Sequence, residues 1–307
     1  MVAPKLERAW SLLKETVQEW TDDDVPRLAA ALAYYTVFSL APLLIIVISA
    51  AGLFFGQEAV EGRIVGQISG LVGERGAEAV QAMVANAARP GAGLIATVIG
   101  LCTLFIGATG VFAELQEAMD TIWDVKPRPG QGIWGTVKRR VLSFTMVLGT
   151  GFLLLVSLVL SAAVAGLAGY LETRMPGISI LSRLLTHALG LALTSAVFAL
   201  IFKMVPDIEI GWRDVWLGAV LTALLFSIGR FALGEYLGRG AFASSYGAAG
   251  SLVVILFWVY YSAQIVLFGA EFTQVYARSR GSEIRPSANA VPADEPAPSL
   301  RTPAEQH

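Results

Sequence analysis

Charged residues are scarce in this chain of 307 residues. Asp, Glu, Lys and Arg together make up 15% of it, whereas hydrophobic residues make up 55%. A soluble domain normally carries about 25% charged residues. With a mean hydropathy of +0.63, the deficit indicates that much of the surface does not face water, and it predicts a membrane protein.

Residues that bind metals or act as nucleophiles are also scarce. The chain has one cysteine, Cys102, and two histidines, His187 and His307, so it can form no internal disulfide and has no zinc-ligand spacing. The motifs of serine hydrolases, zinc proteases, P-loop NTPases and dinucleotide-binding proteins are absent. A net charge of −2 gives no support to a nucleic-acid-binding surface. We therefore predict a protein that is not an enzyme, with no cofactor, no metal site and no nucleic-acid partner.

Long apolar runs dominate the sequence. A helix needs about 20 mostly apolar residues to cross the hydrocarbon core of a bilayer. Six runs qualify, at about 28–55, 93–112, 141–167, 184–202, 215–233 and 251–270. Strands of a membrane barrel would be shorter and would alternate apolar with polar residues. The sequence therefore predicts an all-α, polytopic membrane protein with six transmembrane helices.

The distribution of Lys and Arg orients these spans. With the N-terminus inside, about two thirds of the basic residues, including every Lys, fall on the inner side. The sequence thus predicts a multi-pass protein of the bacterial cytoplasmic (inner) membrane with both termini in the cytoplasm. We expect membrane lipids as partners, and a homo-oligomer or an envelope protein as a further partner is left open.

The segments outside the spans have distinct patterns. Residues 1–27 place Trp10, Leu13 and Val17 at helical spacing, which predicts an amphipathic helix that lies either on the inner leaflet or against the bundle. The first outer loop, 56–92, predicts two further amphipathic helices. The six-helix membrane domain would extend over 28–278. The Pro- and Ala-rich segment 279–307 cannot bury a core and predicts a disordered cytoplasmic tail.

Polar and kinking residues within the spans, together with Glu271 at the inner end of the sixth span, are candidates for a cavity or a substrate path. Ionisable residues inside a membrane are costly and usually functional, and a proline in a helix interior predicts a kink. For Arg230 the alternative is snorkelling to lipid head groups or pairing with Glu235. For Glu271 it is pairing with a basic residue of an inner loop, and for the tyrosines it is ordinary packing. The candidates are Tyr34, Tyr35, Pro42, Arg230, Gln264 and Glu271.

An acidic stripe follows the second span. Its members recur at spacings of three and four, which places them on one face of a helix. The stripe indicates either a solvated face or an acidic cytoplasmic mouth that attracts cations. It consists of Glu114, Glu117, Asp120 and Asp124.

Four stretches resemble one known family. They are DDDVPRLAAALAYYTVFSLAPLLII at 22–46, ELQEAMDTIWDV at 114–125, VPDIEIGWRDVWLGA at 205–219, and SSYGAAGSLVVILFWVYYSAQIVLFGAE at 244–271. The chain resembles the YihY/BrkB family of bacterial inner-membrane proteins over about residues 5–278. The resemblance implies six spans and no established activity. Members have carried a virulence-factor label or the name ribonuclease BN, and one has been linked to export of a lipopolysaccharide precursor.

Three functions stay open at this stage. The favoured hypothesis is transport or flipping of a lipid or other amphiphile, since the chain combines intramembrane polar residues with amphipathic elements and lacks catalytic clusters. The alternative is a scaffold or regulatory component of an envelope complex. A membrane-associated ribonuclease is the least favoured, because the sequence has neither a metal-ligand cluster nor a basic face for RNA.

Overall fold

A computed structural model describes most of the chain. The described residues are 3–56, 61–62, 64–66, 69, 77–78, 80–82, 109–129, 179–238 and 250–294. The predicted span 141–167 and nearly all of 93–112 lie outside them. Every described residue of the predicted outer loop from 61 to 82 is helical.

Helices make up most of the described structure. They are α1 (Ala3–Asp22), α2 (Val25–Phe55), α3 (109–122 in its described part), α4 (Ser179–Met204), α5 (Trp212–Gly238) and α6 (Gly250–Ser279). Four short strands complete it: β1 (Val125–Pro127), β2 (Ile208–Glu209), β3 (Arg285–Pro286) and β4 (Ala290–Pro292). The all-α membrane class predicted from the sequence is therefore confirmed.

Within the described residues, three helices are long and apolar enough to cross a bilayer by length and composition. The qualifying segments are His187–Met204, Trp212–Leu233 and Leu252–Ser279, which overlap the last three predicted spans. The first predicted span lies within α2, whose 31 residues extend about 46 Å at 1.5 Å per residue. Within α2, Val25–Leu40 forms an apolar segment shorter than those three. Pro42 lies inside the helix.

The helices pack as an antiparallel core with α6 at its centre. Helix α6 contacts α5, α2 and α1, and α5 also packs along α4. The apolar core at the end where α1 lies, hereafter the α1 end, joins all of these elements to α3. Its largest fully buried apolar side chains are Phe202, Met119, Ile122, Leu267, Val25 and Val215. This core holds the ends of α1, α3 and α6 together, and there the polar residues described below converge.

Helices α5 and α6 approach each other closely through a reciprocal Gly–Thr arrangement. A Cβ atom at Gly218 would overlap the Thr273 hydroxyl and lie 3.2 Å from the carbonyl oxygen of Gly269. Conversely, a Cβ atom at Gly269 would overlap the Thr222 hydroxyl. Each threonine donates to the carbonyl of the glycine one turn earlier, Thr222 to Gly218 at 2.7 Å and Thr273 to Gly269 at 2.6 Å. Small residues at such a contact let two membrane helices pack backbone to backbone.

The segment after α6 is paired over 285–292, and the prediction of a disordered tail is wrong there. Strand β4 pairs antiparallel with β1, with Lys126 opposite Val291, and β3 pairs antiparallel with β2, with Glu209 opposite Arg285. A short strand is stabilised by backbone hydrogen bonds to a neighbouring strand and does not require a large apolar core of its own. The segments 125–127 and 208–209 provide these hydrogen-bond partners. Ala290 also becomes buried. Residues 295–307 lie outside the described part of the chain.

Candidate functional site

The C-terminal ends of α1, α3 and α6 meet at the α1 end of the bundle and bring several carboxyl groups together. The α1–α2 turn carries Asp23 and Asp24, the turn after α3 carries Asp124, and the last three turns of α6 carry Glu271 and Arg278. Asp24 and Asp124 both adopt the left-handed conformation, with φ of 55° and 52°, which Asp tolerates better than most residues. These two turns lead into α2 and β1.

Glu271 is fully buried, with 0% of its surface exposed. Neither of its carboxyl oxygens receives a hydrogen bond from an N–H or O–H group among the described residues. Instead, it faces the carboxyl group of Asp23 in the α1–α2 turn, near enough for one carboxyl group to donate a hydrogen bond to the other. Two carboxyl groups can form such a bond only if one of them carries a proton.

Asp23 is half-buried and titrates abnormally. The pKa of Asp23 is raised from 3.8 to about 6, and burial is the largest cause. The negative charge of Asp124 also raises this pKa, whereas the hydrogen bond with Glu271 lowers it, as expected when Asp23 is the acceptor. Smaller effects come from Glu19, which raises the pKa, and from Arg278, which lowers it.

Arg278 partly balances this group of acids. Its guanidinium contacts Glu19 at 3.2 Å and forms a closer ion pair with Asp124. The Arg278 side chain is 40% exposed, so each pair contributes about 0–1 kcal/mol. We call Glu19, Asp23, Asp124 and Glu271, with Arg278, the carboxyl cluster.

Amide side chains tie the cluster to its neighbours. Gln274, one turn beyond Glu271, is buried and donates to the carbonyl oxygen of Ile122 and, at 3.3 Å, to Asp124 Oδ2. Two turns before Glu271, Gln264 accepts from Trp20 Nε1 at 3.2 Å and donates to the Tyr260 hydroxyl at 2.8 Å. Gln264 therefore connects α1 to α6.

The structure separates the other candidate cavity residues from Glu271. Tyr34 and Tyr35 are 57% and 43% exposed on α2, where the Tyr34 ring lies 4.7 Å from that of Phe38. Arg230 is exposed on α5, next to Gly229, which packs on Tyr261. Tyr261 lies ten residues before Glu271 on α6, so Arg230 lies roughly 15 Å from the carboxyl cluster along the bundle.

The acidic stripe divides into residues with different environments. Asp120 is buried and accepts from the backbone N–H of Asp207 at 2.8 Å, while Asp124 belongs to the carboxyl cluster. Glu117 is exposed and Glu114 is half-buried. Burial, followed by the charge of Glu117, raises the pKa of Glu114. Asp120 thus holds the α4–α5 loop, a structural contact that the helical spacing alone does not indicate.

Sequence reasoning identified Glu271 and Gln264 but missed Asp23, Gln274 and Arg278 as their neighbours. A usable signal for Gln274 was its position one turn after Glu271 on the same helical face. The pairing of Asp23 with Glu271 had no local signal, because the two residues are far apart in the chain. The described part of the chain contains no group of three or more His, Cys, Asp or Glu residues arranged to hold a metal ion.

Comparisons with known proteins relate the chain to bacterial membrane proteins. Residues 16–294 match the family model described as Virulence factor BrkB. Proteins named UPF0761 membrane protein are 29% identical over 272 residues in Verminephrobacter eiseniae and 30% identical over 257 residues in Alkalilimnicola ehrlichii. The alignments cover 86% and 81% of this chain but 62% and 54% of those relatives. The chain thus spans less than two thirds of their length, and neither name is that of an enzyme. No solved structure matches.

Proposed function

The chain belongs to the Virulence factor BrkB family of membrane proteins, and on that premise we propose that it moves a lipid or another amphiphile across the bacterial inner membrane. The α1 end lies on the cytoplasmic side in this proposal. The described basic residues Lys14, Lys126, Lys203, Arg213 and Arg278 belong to that end, as cytoplasmic segments are rich in Lys and Arg.

The observation that carries the proposal is the burial of Glu271 without a compensating donor among the described residues. Leaving a buried charge unpaired typically costs about 3–5 kcal/mol. A static helix bundle would be more stable with an apolar residue at this position. Intramembrane carboxyl groups of this kind characterise substrate paths and proton relays, which favours a transport function over a purely structural one.

An amphiphilic substrate is supported by the polar and aromatic groups on the outer surface of the bundle. Tyr34, Tyr35 and Phe38 form an exposed aromatic strip on α2. Arg230 is exposed on α5, toward the opposite end from the carboxyl cluster. A guanidinium group binds lipid phosphate well, and aromatic rings can contact the remainder of such a molecule.

Reconstitution of the full chain into lipid vesicles tests the proposal. The measurement is the rate at which fluorescent lipid analogues, both zwitterionic and anionic, become accessible from the opposite leaflet. We expect the wild type to exceed empty vesicles, and Glu271→Gln to lose most of that rate. Glu15→Gln is the control, because Glu15 is an exposed carboxyl on α1. A wild-type rate equal to that of empty vesicles for every lipid would refute lipid movement.

One observation favours a scaffold as the second candidate. Helix α1 exposes an apolar stripe of Trp10, Leu13 and Val17, which are 70%, 40% and 49% exposed. Such a stripe binds either the membrane surface or a partner helix. Cross-linking from a photoreactive residue at position 13 distinguishes these occupants: lipid adducts alone count against the scaffold, whereas one reproducible protein adduct supports it.

A further inference from the structure

The contact between Glu271 and Asp23 joins two elements that could move relative to each other. Glu271 belongs to α6, the central helix of the bundle, and Asp23 belongs to the turn between α1 and α2. We propose that these two carboxyl groups form a proton-binding site whose occupancy couples transport to the proton gradient. This inference rests on the transport function proposed above.

The environment of Glu271 favours a proton as the ligand. The side chain is fully buried, and no N–H or O–H donor of the described residues reaches either oxygen. A metal ion needs several oxygen ligands, and the described residues offer no group of three or more that could provide them. A single proton held between the two carboxyl groups gives the buried acid a hydrogen bond, and no third residue is needed to bind it.

The charged groups around the pair do not neutralise it. Glu19 faces the site from α1, Asp124 from the turn after α3, and Arg278 from the last turn of α6. Arg278 forms ion pairs with Glu19 and Asp124. Its positive charge is therefore balanced mainly by those two carboxylates and not by Glu271 or Asp23. Burial first, and then the negative charges of Asp124 and Glu19, raise the pKa of Asp23 to about 6.

Release of the proton would weaken the contact between α1 and α6. Two ionised carboxylates facing each other in a partly buried site repel, and like charges at such sites oppose ionisation strongly. Among the described residues, the other polar ties across the contact are the Trp20–Gln264 hydrogen bond and the Glu19–Arg278 ion pair, and each is weak. The apolar packing of Trp20 and Val25 in the core remains. The α1–α2 turn would loosen from α6 around Asp23 when the proton leaves, and it would tighten again when a proton binds.

Infrared spectroscopy of the purified full chain measures the proton directly. Exposed carboxyl groups ionise near pH 4, so a protonated-carboxyl band that persists at neutral pH reports a buried acid. We expect the wild type to show such a band and to lose it in alkaline solution. We expect Glu271→Gln to lack the band, Asp23→Asn to shift it, and Glu15→Gln to retain it.

Hydrogen exchange of the wild type provides a second measurement that needs no variant. The amides of residues 19–26 should exchange several-fold faster in alkaline than in neutral solution, relative to the amides of α4 as an internal reference. If Glu271→Gln does not fold, Asp23→Asn and this comparison still decide the question.

Three outcomes overturn the inference. One is a wild type without a protonated-carboxyl band at neutral pH, and another is a band that Asp23→Asn and Glu271→Gln both leave unchanged. The third is a band that disappears on addition of sodium at constant pH, which would make the pair a cation site. Because none of these measurements requires transport, lipid movement without a band refutes the proton site alone. A titrating band without lipid movement refutes the proposed function and leaves the proton site standing.

Discussion

At the scale of single residues, burial without a donor distinguishes Glu271 from the other acids that the structure describes. Asp120 is also buried, but it accepts a backbone N–H from Asp207. Asp124 is exposed and ion-paired with Arg278. Glu271 faces a second carboxyl group instead. Its environment therefore depends on proton binding, whereas those of Asp120 and Asp124 depend on fixed contacts.

The raised pKa of Asp23 predicts a pH dependence of stability. Asp23 binds its proton more tightly in the folded protein, with a pKa of about 6, than in the unfolded chain, where the value is near 3.8. Protonation therefore favours folding, so the contribution of Asp23 to the thermal midpoint should be largest at about pH 4 and should be lost as the pH rises to about 6. Asp23→Asn should flatten this part of the curve.

Thermal unfolding in detergent, followed by circular dichroism across this pH range, checks the prediction. Glu15→Gln, which alters an exposed carboxyl on α1, should reproduce the wild-type curve. An Asp23→Asn curve with the same slope as that of the wild type would contradict the raised pKa.

At the scale of elements, the α5–α6 contact depends on the absence of two side chains. Gly218→Ala should lower the thermal midpoint, because the new methyl group would overlap the Thr273 hydroxyl and force the helices apart. Overpacking of this kind typically costs about 1–3 kcal/mol. The double variant Gly218→Ala/Thr273→Ala should recover part of the loss, since the second change removes the overlapping group.

A double-mutant cycle on Gly218 and Thr273 measures this coupling directly. Gly190→Ala on α4 is the matched control, because a Cβ atom there meets nothing within 4 Å. Additive effects of the two single changes would show that the helices do not meet at this pair.

The strands after α6 connect the two loops at the α1 end. Ser287 donates its N–H to the carbonyl of Asp207 at 2.8 Å, and Ala293 donates to that of Asp124, also at 2.8 Å. A chain ending at Gly281 should therefore unfold at a lower temperature than the full chain. A chain ending at Asp294 keeps every one of these described pairings and should match the full chain. Equal stability of the two truncated chains would contradict a stabilising role for the strands.

At the scale of the whole molecule, α1 and the strands lie at the same end of the bundle. Because α1 contacts α6 near Arg278, and β4 pairs with β1 just after Asp124, residues 8 and 294 must face the same side of the membrane. We expect single cysteines introduced by Arg8→Cys and Asp294→Cys, in a Cys102→Ser background, to share one labelling pattern.

Labelling with a membrane-impermeant maleimide tests both this prediction and the orientation. Intact cells should leave both positions unlabelled, and permeabilised cells should label both. Opposite results for the two positions would contradict the pairing of the strands with the α1 end. Labelling of both in intact cells would keep the fold and reverse the proposed orientation.

The sequence by itself determined the class and the family of this protein. Scarce charge and long apolar runs predict membrane helices because the transfer of apolar side chains out of water is a local, additive property. The resemblance to the BrkB family, drawn from four stretches, is confirmed by the family match over residues 16–294. Glu271 could be singled out for the same reason, since an acid within an apolar helix is conspicuous in the sequence alone.

Only the tertiary structure decided what Glu271 faces. Asp23, Trp20 and Gln274 reach it or its neighbours through contacts between α1, α3 and α6, and no local pattern encodes such pairings. The strands at 285–292 were mispredicted for the same reason, because their hydrogen-bond partners lie in distant loops. Composition describes what a segment can bury by itself, whereas its partners across the fold decide whether it becomes ordered.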